Sequence, residues 1–270
     1  MKFTILGSKG FIGKELTSFL IKMGHECFTP EIRNTNLQGI DLGHVIYSAG
    51  VPNFMERPCD AVDAHVCQLK NILQNSNFES LQYFSGGRVY HKMNSTDEDQ
   101  DLMFNPLDKN DLYGISKIMG ESLCLSFNNP RIHVLRLTNV TGNNFNSHLF
   151  LPSIIRDSIL KNKIEVFTSL SSKKDYLYID DVLELIPKIA IKGKNKIYNI
   201  ASGKNIESGK LIEKISDIVG CEVKVSPDSK EYSFPETSIT RIKEEFNFQP
   251  TNVLDKIDFM IEEFKKYFKK

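Results

Sequence analysis

The sequence predicts a doubly wound α/β fold, a parallel sheet with helices on both faces, followed by a small C-terminal lobe. Three observations predict it. Apolar runs of strand length alternate with amphipathic helical patterns through the first two-thirds of the chain. A glycine-rich turn joins the first strand to the first helix. The chain has 270 residues, 40% hydrophobic and 25% charged, which suits one large α/β unit with a smaller lobe.

Each predicted element rests on its own pattern. Short apolar runs bounded by turn residues indicate buried strands, and apolar residues recurring every three or four positions indicate helices that pack one face. In the first two-thirds we predict strand Phe3–Leu6, helix Phe11–Lys22, strands Glu26–Thr29 and His44–Ser48, helix Asp60–Asn75, strand Leu81–Ser85, helix Asp111–Phe127 and strand His133–Thr138.

After Asn139 the pattern loosens, beginning with an Asn- and Gly-rich loop at 142–148. The later elements are predicted as helix Leu151–Lys161, strand Glu165–Phe167, helix Asp180–Ile191, strand Ile197–Ile200 and helices Ser208–Val219 and Leu254–Phe268. These patterns predict a core of residues 1–140, to which residues of about 175–205 return. Residues 141–270 then form the smaller lobe.

Charge and cysteine content exclude several functional classes. Lys plus Arg equals Asp plus Glu, at 34 each, so we expect neither a nucleic-acid nor a membrane partner. The five cysteines include no Cys-x-x-Cys pair, which favours a reducing compartment and predicts no metal site. The N-terminal apolar run is too short for a signal peptide, and no apolar stretch approaches the roughly 20 residues of a membrane span. We therefore expect a cytoplasmic protein.

The glycine-rich turn predicts a dinucleotide site. It follows the first strand and opens the first helix, which is the context that this Rossmann-type fingerprint requires. Glycines permit the tight turn and let the backbone approach a pyrophosphate, and the helix N-terminus presents free N–H groups to it. We assign the cofactor contacts of this turn to Gly7, Lys9, Gly10, Phe11, Ile12 and Gly13.

The choice between NAD and NADP depends on two residues after the second strand. Glu31 stands where an acidic residue would accept hydrogen bonds from the adenosine ribose, which favours NAD. Arg33 could instead pair with a 2′-phosphate and favour NADP. Both cofactors remain possible at this point, with a slight preference for NAD.

Tyr113 and Lys117 form the predicted acid/base pair. They lie four positions apart on a predicted helix, so both side chains emerge from one face. A nearby ammonium favours the phenolate form of a tyrosine, whose free pKa is about 10, and makes it usable as an acid or base at neutral pH.

With these motifs in place, the chain resembles the extended short-chain dehydrogenases/reductases of the nucleotide-sugar epimerase, dehydratase and reductase branch. The resemblance runs through most of the chain in the right order. Its matching segments are the 7–13 turn, Tyr-Ser-Ala-Gly at 47–50, Phe-Ser-Gly-Gly-Arg-Val-Tyr at 84–90, the Tyr113/Lys117 pair, Arg-Leu-Thr-Asn-Val-Thr-Gly at 136–142, Lys-Asp-Tyr-Leu-Tyr-Ile-Asp-Asp-Val at 174–182, Thr240-Arg241 and Phe-Asn-Phe-Gln-Pro at 246–250.

The resemblance implies a role for each matching residue. Lys117 would hold the nicotinamide ribose and lower the pKa of Tyr113, which would exchange a proton with a sugar hydroxyl or ketone. Ala49 and Gly50 would border the cofactor. The residues implied at a nucleotide-sugar substrate are Arg88, Asn139, Lys174, Tyr176 and Arg241. The resemblance also implies a homodimer formed through the catalytic helix.

This chain departs from the family pattern in ways that narrow the chemistry. Gly86 occupies the usual position of a catalytic Ser or Thr, so Ser85 is the candidate substitute. Gly87 and Arg88 stand where dehydratases carry an Asp-Glu pair, which argues against 4,6-dehydration. Lys174 replaces an arginine and loses its bidentate fork. His65 replaces a common asparagine and is interpreted as a packed helix residue rather than a catalytic one.

The sequence leaves two enzymatic reactions possible, and also a function without catalysis. A nucleotide-sugar epimerase would use the cofactor catalytically, whereas a 4-ketoreductase would consume NAD(P)H. The alternative is an NAD(P)-binding sensor or scaffold that has lost chemistry, which Gly86 favours and the intact Tyr113/Lys117 pair disfavours.

Overall fold

A central parallel sheet organises the molecule. The computed structural model describes residues 1–51 and 54–269. The strands of the central sheet are β1 (Lys2–Leu6), β2 (Glu26–Phe28), β3 (His44–Tyr47), β4 (Ser80–Gly86), β5 (Ile132–Leu137) and, late in the chain, β9 (Ile197–Ile200). They lie in the order β2-β1-β3-β4-β5-β9, with every neighbouring pair parallel.

Helices cover both faces of this sheet. They are α1 (Phe11–Lys22), α2 (Pro58–Val62), α3 (Gln68–Asn75), α4 (Leu112–Ser126) and α6 (Ile179–Lys192), and a π-helical turn at Asp63–Cys67 joins α2 to α3. Leu16 of α1 and Ile186 of α6 pack into one hydrophobic core, and Leu69 of α3 and Cys124 of α4 pack into another. The predicted doubly wound α/β class is therefore confirmed.

The remaining strands and helices, outside the central sheet and the helices that cover it, are here called the lobe. Its strands are β6 (Asn139–Thr141), β7 (Lys163–Thr168), β8 (Lys173–Tyr178), β10 (Asn205–Glu207) and β11 (Glu222–Lys230). Its helices are α5 (Phe150–Lys161), α7 (Ser208–Val219), α8 (Thr240–Phe246) and α9 (Ile257–Phe268). β8 lies between β10 and β6, and β7 pairs with β11. The apolar faces of α5, α7 and α9 join the same core as α1 and α6.

Several lobe elements were not predicted from the sequence. β8 contains Asp175, which is buried because its carboxylate is hydrogen-bonded, so the strand does not show a plain apolar run. β11 contains Pro227 and is mostly exposed, so it shows no burial periodicity. β6, β10 and α8 are short, at three, three and seven residues, which leaves little pattern to detect.

The strand order places a crevice beside the glycine-rich turn. β1 pairs with β2 on one side and with β3 on the other, so the chain changes direction across the sheet after β2. The carboxyl ends of β1 and β3 therefore open into a crevice between diverging connections, which is where open α/β sheets bind ligands. Within the described residues, no helix combines the length and apolar character needed to cross a membrane.

Candidate active site

The backbone of the glycine-rich turn leaves no room for a side chain at Gly7 or Gly13. Gly7 has a φ of +103°, and a Cβ there would lie 2.7 Å from the backbone nitrogen of Ala49. A Cβ on Gly13 would lie 2.4 Å from the carbonyl oxygen of Gly7. The turn therefore packs directly against β3 and α1, and it borders a cavity of about 450 Å³ that also touches Gly10 and Gly50, here called the glycine-loop cavity.

At the far end of the glycine-loop cavity, Glu31 and Arg33 each have a charged partner. Glu31 forms an ion pair with Lys9, and hydrogen bonds from Lys9 and then Asn34 lower the pKa of Glu31. Arg33 lies 3.6 Å from Asp63 and 4.0 Å from Asp60. The carboxylate of Glu31 thus stays anionic at the cavity wall, while Arg33 is directed toward two acidic side chains.

A second, central cavity joins the glycine-loop cavity to α4, the helix that carries Tyr113 and Lys117. It has a volume of about 310 Å³ and shares Ser48, Ala49, Gly50 and Val51 with the first cavity. Ile12, His65, Ser85, Tyr113 and Lys117 also line it. Of the predicted cofactor contacts, Phe11 and Gly13 lie outside the described linings of both cavities, because Phe11 packs against the core and Gly13 lies beneath the turn.

Lys117 is held firmly on the wall of the central cavity. Its Nζ donates a hydrogen bond of 2.8 Å to the carbonyl oxygen of Phe84 in β4 and lies 5.9 Å from the ring centroid of Tyr113. Burial lowers the pKa of Lys117 to about 7, against an opposing effect of the Glu121 charge. The ammonium is therefore the less favoured form above neutral pH in the free protein.

The electrostatics around Tyr113 differ from the expectation. Burial raises the pKa of Tyr113, and the positive charge that opposes this increase is that of Arg88. The resemblance had assigned the lowering of this pKa to Lys117. In the free protein, Arg88 at the edge of the site therefore supplies the charge that opposes the effect of burial on the Tyr113 pKa.

Gly86 lies directly beside the tyrosine hydroxyl. A Cβ on Gly86 would lie 3.1 Å from Tyr113 Oη, so a side chain at this position would touch the tyrosine hydroxyl. Ser85 also lines the central cavity, and its buried Oγ has no hydrogen-bond partner among the described residues. The free hydroxyl of Ser85 is therefore available to a ligand in the cavity.

Beyond Tyr113, a third cavity continues the cleft into the lobe. This outer cavity has a volume of about 400 Å³ and shares Gly86, Tyr113, Leu137 and Thr138 with the central cavity. Arg88, Asn139, Lys174, Phe54 and Phe234 complete much of its lining. Arg88 also lies over the ring of Phe54, 5.7 Å from its centroid.

Two cations face this outer cavity. Neither Arg88 nor Lys174 forms an ion pair with an acidic side chain of the described chain. Burial, and then the charge of Arg88, lowers the pKa of Lys174. An anionic ligand would relieve this repulsion between like charges, so the cavity is suited to one.

A hydrogen-bond network on Asp175 fixes the floor of the outer cavity. Thr138 Oγ1 donates to the Asp175 carboxylate at 2.7 Å, and Asn139 Nδ2 donates to the Asp175 carbonyl at 2.8 Å. The backbone N–H of Gly203 donates to the same carboxylate at 2.8 Å. Tyr176, predicted as a substrate contact, is buried behind this floor, where it lines a small cavity of about 60 Å³.

Arg241 lies apart from this arrangement. Its guanidinium donates to the Ile197 carbonyl at 3.1 Å, forms an ion pair with Asp99 and lies 3.6 Å from Glu98. None of the three cavities, as the described residues define them, includes Arg241. In the free protein these partners hold the guanidinium outside the three cavities, and the diphosphate contact of Arg241 stays a prediction.

Sequence reasoning missed three residues of the cleft. Thr138 lines both the central and outer cavities, and Arg57 lines the glycine-loop cavity. His65 was assigned a packing role, yet its ring borders the central cavity. Thr138 could have been found, because it is a polar residue directly after β5, at the carboxyl end of a parallel strand. Nothing in the sequence pattern distinguishes Arg57 as a cavity residue. No group of three or more metal-ligating side chains occurs in the described parts of the chain.

Known proteins match this chain over most of its length. It is 28% identical to dTDP-4-dehydro-6-deoxyglucose reductase of Escherichia coli over 222 residues, covering 74% of this chain and 66% of the reductase. It is 27% identical to a putative UDP-glucose 4-epimerase of Methanocaldococcus jannaschii over 255 residues, covering 80% of this chain and 82% of that protein.

A solved structure and a family model complete the comparison. The structure of RMD from Pseudomonas aeruginosa, complexed with NADPH, superposes with a TM-score of 0.79 at 22% identity, covering 98% of this chain and 99% of that one. The model of the NAD dependent epimerase/dehydratase family matches residues 3–201. The glycine turn, the Tyr113/Lys117 pair and the parallel sheet all lie within that match, and the chain belongs to the NAD-dependent epimerase/dehydratase family.

Proposed function

We propose that this protein is an NAD(P)-dependent nucleotide-sugar enzyme, an epimerase or 4-ketoreductase, that moves hydride at a sugar ring carbon with Tyr113 as acid/base. One observation carries the proposal. Tyr113 lies where the central cavity, which Lys117 lines and which adjoins the glycine-loop cavity, meets the outer cavity, whose Arg88 and Lys174 have no acidic partner among the described residues. A cofactor on one side and an anionic sugar derivative on the other would meet at the tyrosine hydroxyl.

The residues of the glycine-loop cavity fit a dinucleotide. Backbone atoms fill the space beside Gly7 and Gly13, so the turn is closely packed. No side chain caps the N-terminus of α1, so its N–H groups remain open to a pyrophosphate. When bound, the nicotinamide group accepts or supplies the hydride. Lys117, Ala49 and Gly50 are placed to hold the nicotinamide half, because they border the central cavity.

The charges at the adenosine end support NAD over NADP. Glu31 remains anionic beside the cavity, and a carboxylate there repels a 2′-phosphate. Arg33, the residue that would bind such a phosphate, is directed to Asp60 and Asp63. We therefore expect tighter binding of NAD(H) than of NADP(H), with Glu31→Ala reducing the difference. Equal affinities in the wild-type protein, measured by calorimetry, would contradict this preference.

The lining of the outer cavity supports a nucleotide sugar as the proposed substrate class. Arg88 and Lys174 supply positive charge without carboxylate partners in the described chain, and Asn139 lines the same cavity and donates to the Asp175 carbonyl. A sugar diphosphate would satisfy both cations and leave the sugar ring against Tyr113. The charge of Arg88 lowers the pKa of both Tyr113 and Lys174. Arg88 would therefore lie between the reacting end and the anionic end of such a ligand.

Cofactor stoichiometry separates the two reactions. A 4-ketoreductase consumes one NAD(P)H for each 4-keto sugar nucleotide, whereas an epimerase converts its substrate with no net change in absorbance at 340 nm. Tyr113→Phe should reduce turnover at least about 10²-fold, because it removes the proton donor and leaves the cavity shape intact. Cofactor affinity should stay near the wild-type value. Unchanged turnover would remove Tyr113 from the assigned role.

A second candidate is a cofactor-binding sensor or scaffold. Gly86 supports it, because no side chain of that residue assists the adjacent Tyr113 hydroxyl. A panel of sugar nucleotides that neither bind nor turn over, together with measurable NAD(P)H binding, would favour this candidate over the enzyme.

A homodimer completes the proposal. Val62 of α2 and Met119 and Leu125 of α4 are apolar side chains at least 38% exposed, and α2 and α4 contact each other. Burial of such a patch between two copies would remove it from water. Light scattering should give about twice the chain mass, and Met119→Glu should shift the mass toward the monomer.

A further inference from the structure

His65 is a buried side chain that has no role in the proposed reaction. It lies in the π-helical turn Asp63–Cys67 and is 0% exposed. Its ring meets the Tyr113 ring edge-on, with centroids 5.6 Å apart, and lines the central cavity beside Gly50 and Lys117. The imidazole thus faces the same space as the acid/base pair.

The neighbouring hydroxyl determines the tautomer of His65. Ser116 Oγ lies 2.9 Å from the carbonyl oxygen of Tyr113, and since a carbonyl can only accept, Ser116 donates its one proton there. His65 Nδ1 lies 2.9 Å from the same Oγ, so Nδ1 must carry a proton and donate it. Nε2 is then left with a lone pair and no proton. Burial and the Lys117 charge lower the pKa of His65 to about 3, which keeps the ring neutral.

His65 Nε2 and Lys117 Nζ both lie close to the same point beside Gly50. A Cβ on Gly50 would lie 3.5 Å from His65 Nε2 and 3.9 Å from Lys117 Nζ. Nε2 is buried and has no hydrogen-bond partner among the described residues. Lys117 Nζ uses one donor on Phe84 and retains others. A hydroxyl group, which accepts and donates at once, satisfies both side chains, whereas a phosphate oxygen satisfies only the lysine.

We propose that His65 Nε2 accepts a hydrogen bond from a hydroxyl of the nicotinamide-side ribose, making His65 a positioning residue for that half of the bound dinucleotide. The inference rests on the proposed function, because it needs a dinucleotide in the central cavity. It assigns this histidine a ligand contact in place of the packing role that its sequence position suggested.

Two substitutions separate the ligand contact from the packing contact. His65→Asn retains a polar atom near Nδ1, where Ser116 is bound, and removes the acceptor at Nε2. His65→Gln places an amide oxygen near Nε2 and restores that acceptor. We expect His65→Asn to weaken ADP-ribose binding about three- to tenfold, the effect of one neutral hydrogen bond, and His65→Gln to recover most of it.

Calorimetry with ADP-ribose and ADP tests this without any turnover. ADP lacks the second ribose, so its dissociation constant should not change in either variant. His133→Asn is the matched control, because His133 is equally buried and its Nδ1 binds a backbone carbonyl away from the cleft. An unchanged ADP-ribose affinity in His65→Asn, or an equal loss for ADP, would overturn the proposal.

A measurement on the wild-type protein covers the case in which the variants fail to fold. The ¹⁵N resonance of His65 Nε2 should be that of an unprotonated nitrogen and should move toward lower frequency with ADP-ribose but not with ADP. A stationary resonance would show that Nε2 receives no hydrogen bond from the ligand and would refute the contact. If the wild-type protein binds no ADP-ribose, the proposed function fails as well, so the two failures are distinguishable.

Discussion

The buried ion pair between Glu121 and Arg136 attaches helix α4 to the sheet. Glu121 lies on α4, which carries Tyr113 and Lys117, and Arg136 lies on β5. Their side chains are 3% and 4% exposed, and Arg136 Nη2 lies 2.7 Å from Glu121 Oε2. Arg136→Met would keep most of the apolar volume but leave the carboxylate buried without its partner.

The expected loss follows from that geometry. Removing one partner of a buried ion pair costs about 3–5 kcal/mol, because an uncompensated charge stays in the interior. Tyr90 Oη, which accepts a hydrogen bond of 2.7 Å from Arg136, would lose its charged donor too. For a domain of this size, the cost corresponds to a melting temperature lower by roughly 6–20 °C.

Urea denaturation at pH 7, followed by circular dichroism, measures this loss. Lys214→Met is the control, since Lys214 and Asp258 form a 3.1 Å pair whose side chains are 43% and 62% exposed. An exposed pair contributes about 0–1 kcal/mol. Adding Glu121→Leu to Arg136→Met should recover part of the loss, because both charges are then gone. A loss in Arg136→Met no larger than in Lys214→Met would refute the reasoning.

Three further predictions concern the cleft. Gly13→Ala should lower the melting temperature of the free protein and weaken NAD binding, since its Cβ would lie 2.4 Å from the Gly7 carbonyl oxygen; an unchanged affinity would contradict this. Burial lowers the pKa of Lys117 to about 7, below its unfolded value of about 10.4, so the unfolded state binds more protons between these values. The Lys117 contribution to the free energy of unfolding should therefore rise with pH across that window and be flat below it, and Lys117→Met should lack the rise in chemical denaturation. Gly86→Ser should raise turnover by supplying a hydroxyl beside Tyr113, where a Cβ lies 3.1 Å from Oη; unchanged kcat would show that another group already completes the proton path.

Most of the fold was predictable because its signals are local. β1, the glycine turn and α1 appear as an apolar run, close-packed glycines and a helical period, and each is confirmed near its predicted bounds. The lobe was harder to predict. β8 has Asp175 in its buried part, and that residue can be buried because Thr138, Ser202 and Gly203, distant in sequence, donate hydrogen bonds to its carboxylate.

The sequence by itself determined the class of the protein, because the glycine turn and the Tyr113/Lys117 spacing depend on neighbouring residues in one strand and one helix. Only the tertiary structure decided how charges and lone pairs face one another. It directs Arg241 to Asp99, places the Arg88 charge near Tyr113, and leaves His65 Nε2 without a partner in the described cleft. Such relations join residues far apart in the chain, and burial, which sets their pKa values and partners, exists only once the chain has folded.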